Sequence, residues 1–239
     1  MLVRALVFIA WLMLAAAPAH AEKLAEADEP DFVQVPKQLA VKILRGNGPG
    51  TQFIGSGFAW VSNGRAYAVT NFHVATKGLP VEPAPGGLFV GFAAPVNWHA
   101  ATRTLGLPGA DLAIIETDVV TDHENPYTLG TAALDETVYS ISYDQEEFQQ
   151  AAPVVFRGKV VGIVGVVYPA SVLAMLPPVP PDAVKAYIVE GSNCIFGASG
   201  GMLLNSRGEV IAYNTGTIGE GLCVAVAIDE VVRAFARQP

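Results

Sequence analysis

Gly197-Ala198-Ser199-Gly200-Gly201 decides how this chain is read. A serine hydroxyl is a weak nucleophile until a neighbouring imidazole takes its proton, and that imidazole needs a carboxylate to hold its tautomer. Two segments upstream supply both groups: Thr70-Asn71-Phe72-His73-Val74-Ala75 and Asp111-Leu112-Ala113-Ile114-Ile115. The order along the chain is therefore His, Asp, Ser.

Gly-x-Ser-x-Gly is also the nucleophile elbow of α/β-hydrolases, whose acid and histidine follow the serine. All four histidines, His20, His73, His99 and His123, precede Ser199, so that arrangement has no base to offer. A subtilisin-type order needs an aspartate ahead of the histidine. Asp28 and Asp31 qualify by position, but both lie in a charged lead-in.

On these segments the chain resembles the chymotrypsin-like (trypsin-like) serine proteases, and among them the HtrA-like bacterial group. Gly55-Ser56-Gly57-Phe58, followed by Tyr67 through Val74, is similar to that family's Gly-Ser-Gly strand leading into Thr-Asn-x-His-Val. Asp111 through Ile115 is similar to its Asp-hydrophobic-Ala-hydrophobic strand, and Leu203 through Thr215 keeps its spacing from the serine to an Asn-Thr pair. The resemblance runs over about residues 36 to 236. It implies an all-β fold of two six-stranded antiparallel β-barrels with a short C-terminal helix, the first over residues 36–125 and the second over 126–239.

The same resemblance implies roles. Ser199 attacks a scissile carbonyl, His73 acts as base and then acid, and Asp111 orients the imidazole. The N–H groups of Gly197 and Ser199 form the oxyanion hole, and Asn214, Thr215 and Gly216 offer main-chain hydrogen bonds to an extended peptide. Pocket walls come from Gly191 to Phe196 and Asn214 to Gly219, with Asn193 or Ile218 contributing. No acidic residue is assigned to the pocket base, since Glu190 can equally face solvent, so a small or medium uncharged P1 side chain is expected. No cofactor or metal is implied. Two departures stand out: Ala198 replaces the Asn or Asp common before the serine, and Met202 replaces a small residue or proline after the glycines. With Ala198, activation by a salt bridge from a new N-terminus is not expected. No PDZ-like second domain is expected to follow.

The N-terminus reads as a secretory signal: Arg4, an apolar run from Ala5 to Ala17, then Pro18-Ala19-His20-Ala21, with cleavage after Ala21. The run is shorter than the ~20 residues a membrane span needs. Export to the periplasm or outside the cell is expected, without stable membrane insertion. Losing Arg4 from 14 basic against 22 acidic residues moves the net charge from −8 to −9, which disfavours nucleic acid as a partner. Peptide or protein is the expected substrate, and oligomeric state is left open.

Cys194 and Cys223 are the only cysteines, an even pair in an exported chain, expected as a disulfide framing the pocket; the alternative is two small buried hydrophobes. Elsewhere short strands and turns predominate. Strands are expected at residues 40–44, 55–61, 66–71, 88–92, 112–116, 137–142, 154–167, 187–190, 201–205 and 209–214. Ser62-Asn63-Gly64-Arg65 and Asn205-Ser206-Arg207-Gly208 read as hairpin turns. Asp229 is expected to cap a helix to Ala236 with Val232 and Phe235 inward. Residues 22–35 read as a lead-in, loosely ordered through residue 34, and the proline-rich stretches Pro80–Pro85 and Pro177–Pro181 as connectors or cleft borders. His99 and His123 read as surface or supporting residues, and Asp118 and Asp122 as weaker orienters than Asp111. Two other readings stay open: a protease-like fold kept for binding or regulation, and an esterase using the same three residues.

Overall fold

The computed structural model describes residues 22–46, 53–76, 87–92, 97–144, 152–166, 183–191, 197–219 and 221–237. The expected secretory leader, both proline-rich stretches, Cys194 and the pocket wall at residues 192–196 lie outside the described residues.

Strands β2 (Ala40–Arg45), β3 (Phe53–Ser62), β4 (Arg65–Asn71), β5 (Leu88–Phe92), β6 (Asn97–Ala100), β7 (Arg103–Leu107) and β8 (Leu112–Val120) form one antiparallel sheet in the order β6-β5-β2-β3-β4-β8-β7. Strands β9 (Thr137–Ser142), β10 (Val154–Val166), β11 (Val184–Glu190), β12 (Met202–Asn205), β13 (Val210–Thr217) and β14 (Leu222–Ala227) form the other. There β9 pairs with both β10 and β12, which closes the six strands into a ring. Closure removes the exposed edges that an open sheet must otherwise protect. The all-β, chymotrypsin-like architecture expected from sequence is the one found. The N-terminal sheet is the more open of the two among the described residues, with β6 and β7 at its edges.

Asn63 and Gly64 both have positive φ, 51° and 72°, the conformation of a type I′ turn, and this sets the register Phe58↔Val69 and Trp60↔Tyr67 across β3 and β4. Along β4 the side chains alternate between two cores: Ala68 packs with Val41, Ile43 and Ile115, while Tyr67 and Val69 pack with Phe58 and Ile114. The second group continues into Ile141, Met202 and Tyr213 of the other sheet and Tyr143 just beyond β9, so it fills the seam between the sheets. Val160, Tyr187, Leu203 and Ile211 fill the ring. Strands buried along nearly their whole length, such as β2 and β4, carry little polar alternation.

The segment before β2 departs from the expected loose order. A two-residue strand β1 (Glu22–Lys23) pairs with β10, helix α1 (Gln34–Leu39) leads into β2, and Leu24 and Val33 are buried. Buried Leu24 and Val33, the pairing of β1 with β10 and the Lys37–Glu29 ion pair at 2.7 Å together hold a segment whose composition is otherwise acidic. The C-terminal helix α3 (Asp229–Ala236) buries Val231 and Ala234, whereas Val232 is exposed. Asp229 is its first residue rather than its cap, and Ile228 occupies the cap position without a side-chain bond. Phe235 stacks on Trp60 at 5.5 Å between ring centroids and meets Tyr67 edge-on at 5.2 Å. The first and last described elements thus cross over, β1 onto the C-terminal sheet and α3 onto the N-terminal one.

Candidate active site

Asn71 ends β4 and the chain turns at once into the five-residue helix α2 (Phe72–Thr76), which carries His73. So short a helix gains little from its own hydrogen bonds and needs outside support. Thr76 Oγ1 donates back to the Phe72 carbonyl at 2.8 Å, and the Arg45 guanidinium donates to the carbonyls of Val74 and Ala75. These groups satisfy the carbonyl end that a helix leaves open.

The other end is held by Asp111. Its carbonyl accepts from Phe72 N at 3.0 Å and from Asn71 Nδ2 at 3.1 Å. Its Oδ1 accepts the His73 main-chain N–H at 3.0 Å, and its Oδ2 lies 2.8 Å from His73 Nδ1. An ionised carboxylate only accepts, so Nδ1 carries the proton and Nε2 is left as the basic nitrogen. Asp111 is 4% exposed and stands in the left-handed conformation (φ 46°, ψ 42°) after the 3-10 turn Pro108–Ala110. Asp is among the few residues that enter this region at modest cost.

Ser199 sits partly buried in the turn ahead of β12. Its carbonyl accepts from Ser56 N of β3 at 2.9 Å, and the next residue, Gly200, donates to the Asn214 carbonyl of β13 at 2.8 Å. The serine is therefore suspended between the two sheets. Gly55 is the meeting point with α2: a Cβ there would lie 2.8 Å from a Val74 methyl and 3.3 Å from the Ser199 carbonyl oxygen. The structure brings His73 and Asp111 into direct contact, and Gly55 links the helix carrying His73 to the Ser199 main chain. Among the described residues no hydrogen bond joins Ser199 Oγ to His73, a link that often closes only when substrate arrives.

Gly197 has φ 99°, a conformation a Cβ would strain, and Gly200 has φ 85°. Among the described residues no acceptor takes the N–H of Gly197 or Ser199. The small loop is pinned by Ser56, whose Oγ donates to the Gly197 carbonyl at 2.6 Å and accepts Tyr143 N at 2.7 Å. Ala198 is buried, and its carbonyl accepts Gly201 N at 2.9 Å, while Met202 is fully buried in the seam core. The two departures from the family pattern thus occupy apolar, filled positions. The Ser56 hydroxyl was not singled out by sequence reasoning, because nothing local marks a bond to residues 141 positions away.

Asn214 and Thr215 are buried, and Gly216 is exposed. Both main-chain groups of Asn214 are already used, its N–H by Gly201 and its carbonyl by Gly200, each at 2.8 Å. Its side chain donates to Ser140 Oγ at 2.6 Å, leaving a buried Oδ1 without a hydrogen-bond partner among the described residues. Cys223 is fully buried on β14. Away from this cluster, His99 Nδ1 lies 2.8 Å from Asp118 Oδ1 on the exposed sheet surface, and that bond holds the Asp118 carboxyl below its ordinary range. His123 and Asp122 are 3.8 Å apart in solvent.

The family model for the trypsin-like peptidase domain matches residues 55–212. This chain belongs to the trypsin-like peptidase family. It is a serine protease of chymotrypsin-like fold. Among solved structures it is similar to the active form of the Rv3671c protease of M. tuberculosis, at 18% identity and a TM-score of 0.68 over 95% of this chain and 94% of that one. It is also similar to Deg5, at 26% identity and 0.61 over 89% and 95%. A serine endoprotease from Yersinia pestis matches at 16% identity and 0.62 over 86% of this chain and 64% of that one. No curated protein matches the chain.

Proposed function

We propose that the chain is an exported endopeptidase in which Ser199, His73 and Asp111 work as one unit. The observation that supports this reading is the double grip of a buried Asp111 on His73, together with the tethering of the Ser199 turn to both sheets. Ser199 Oγ attacks the scissile carbonyl as His73 Nε2 takes its proton. The negative charge that develops on the carbonyl oxygen is met by the N–H groups of Gly197 and Ser199. His73 then passes the proton to the leaving amine, and water repeats the sequence on the acyl-enzyme.

Extended substrate pairs with the main chain at Thr215 and Gly216, while Asn214 serves the nucleophile turn instead. The division into residues 36–125 and 126–239, cleavage after Ala21 and a Cys194–Cys223 disulfide belong to the same reading. In the chain-entropy model such a bridge contributes roughly 3 to 4 kcal/mol. Among the described residues no helix is long and apolar enough to cross a membrane.

The test is fluorophosphonate labelling of the purified protein at neutral pH, with mass spectrometry to locate the adduct. An adduct on Ser199, lost in Ser199→Ala and suppressed in His73→Ala, supports the reading. The open Ser199–His73 contact favours one rival, a protease-like binding protein with an idle site. Folded wild-type protein that takes no label would favour that rival.

A further inference from the structure

Two consecutive residues of β13 reach both halves of the site. Tyr213 is fully buried in the seam, and its hydroxyl donates to the Ala110 carbonyl at 2.7 Å. Ala110 closes the 3-10 turn immediately before Asp111, whose own N–H is tied back to the Pro108 carbonyl at 3.0 Å. The single peptide group that joins Ala110 to Asp111 is thereby held at both ends, its N–H from within the turn and its carbonyl from the opposite sheet. Asn214, the next residue along, holds Gly200 and Gly201 through its main chain, directly after Ser199.

Ala110 and Tyr213 are 103 residues apart in sequence, yet a single side chain spans the distance between the acid turn and the nucleophile strand. The two sheets are separate ladders, bridged on the serine side by Ser56 and on the acid side by Tyr213, so the spacing of Ser199 from His73 depends on how they dock and on these bridges. Apolar packing in the seam is not directional and tolerates small slides; a buried phenol-to-carbonyl bond is directional. Without the hydroxyl, the Ala110 carbonyl is left buried and short of a partner, and the left-handed turn at Asp111 loses its restraint from the opposite sheet.

We propose that Tyr213 is a positioning residue that sets the spacing of Asp111 and His73 from Ser199 across the seam. This rests on the triad reading given above. It acts through Asp111 and does not touch substrate.

Tyr213→Phe removes one oxygen and keeps the ring. Labelling by a fluorophosphonate probe is followed as a function of probe concentration, giving a maximal rate and a half-saturating concentration. The expected result is a maximal rate lower by about tenfold to a hundredfold, with half-saturation moved less than about twofold and an unchanged circular dichroism spectrum. In an Asp111→Asn background the same substitution is expected to change the rate by less than about twofold, because the route through Asp111 is already broken. An unchanged rate in the wild-type background, or the same fall in both backgrounds, overturns the proposal while leaving the triad standing. Wild-type protein that takes no label at Ser199 overturns the triad reading and this one with it. If Tyr213→Phe does not fold, 3-fluorotyrosine at position 213 replaces it, keeping ring and hydroxyl while altering the donor. A change in maximal rate of at least twofold is then expected, and an unchanged rate overturns the proposal.

Discussion

Asp111 grips His73 at two points, with Oδ2 2.8 Å from ring Nδ1 and Oδ1 accepting the main-chain N–H at 3.0 Å. One carboxylate thus fixes both where the helix carrying the histidine starts and which ring nitrogen bears the proton. In Asp111→Asn the amide keeps one oxygen for the main-chain bond and turns its NH2 toward Nδ1. The ring must then accept at Nδ1 and protonate at Nε2, the wrong tautomer for a base. Labelling of Ser199 is expected to slow by about 10³ to 10⁴-fold with the circular dichroism spectrum retained.

Ser56 is a second control point. A hydroxyl has one proton, and the 2.6 Å bond to the Gly197 carbonyl claims it in preference to the Tyr143 carbonyl at 3.4 Å. Ser56→Ala frees the peptide between Gly197 and Ala198 and strands the Tyr143 N–H. A loss of about 1 to 3 kcal/mol in denaturant unfolding is expected, with slower labelling of Ser199.

Gly200 is closed to any side chain. A methyl there would run into the Ser56 carbonyl oxygen and come within 2.5 Å of Thr70 Oγ1, and its φ of 85° is unfavourable for any residue with a Cβ. Gly200→Ala is expected to cost on the order of 2 to 5 kcal/mol, measured by urea unfolding.

The hairpin at residues 205–209 supplies a pH dependence. Bonds from Arg207 and then Asn205 hold the Glu209 carboxyl below its ordinary value of 4.5. A depressed folded-state value adds stability above the unfolded one, and that stability is lost as pH falls through the folded value. The melting temperature is therefore expected to drop below about pH 4.5, and to drop less over the same range in Glu209→Gln, measured by calorimetry from pH 7 to pH 3.

Long strands and tight turns were legible because their signals are local. Asn63-Gly64 requires a hairpin wherever it stands between apolar runs, and the runs around Phe58 and Val69 have no polar face to show solvent. Strands β1, β6, β7 and β14 are absent from the strands expected from sequence. Asn97–Ala100 is short and half-exposed, Arg103–Leu107 mixes charge with glycine, and Leu222–Ala227 is built partly from small residues. Each becomes a strand because a neighbouring ladder offers its hydrogen bonds, a condition no single segment encodes. The acidic composition of residues 22–34 pointed to loose order, and the burial of Leu24 and Val33 outweighed it.

By itself the sequence determined the all-β class, the order of His73, Asp111 and Ser199, and the glycines on which the nucleophile turn depends, since these follow from residue type and spacing along the chain. Only the tertiary structure decided that Asp111 rather than Asp118 holds His73, that Ser56 pins Gly197, and that Tyr213 reaches Ala110. Those contacts join residues 38 to 141 positions apart, and hydrogen bonds form where packing of the two sheets brings donor and acceptor within about 3 Å.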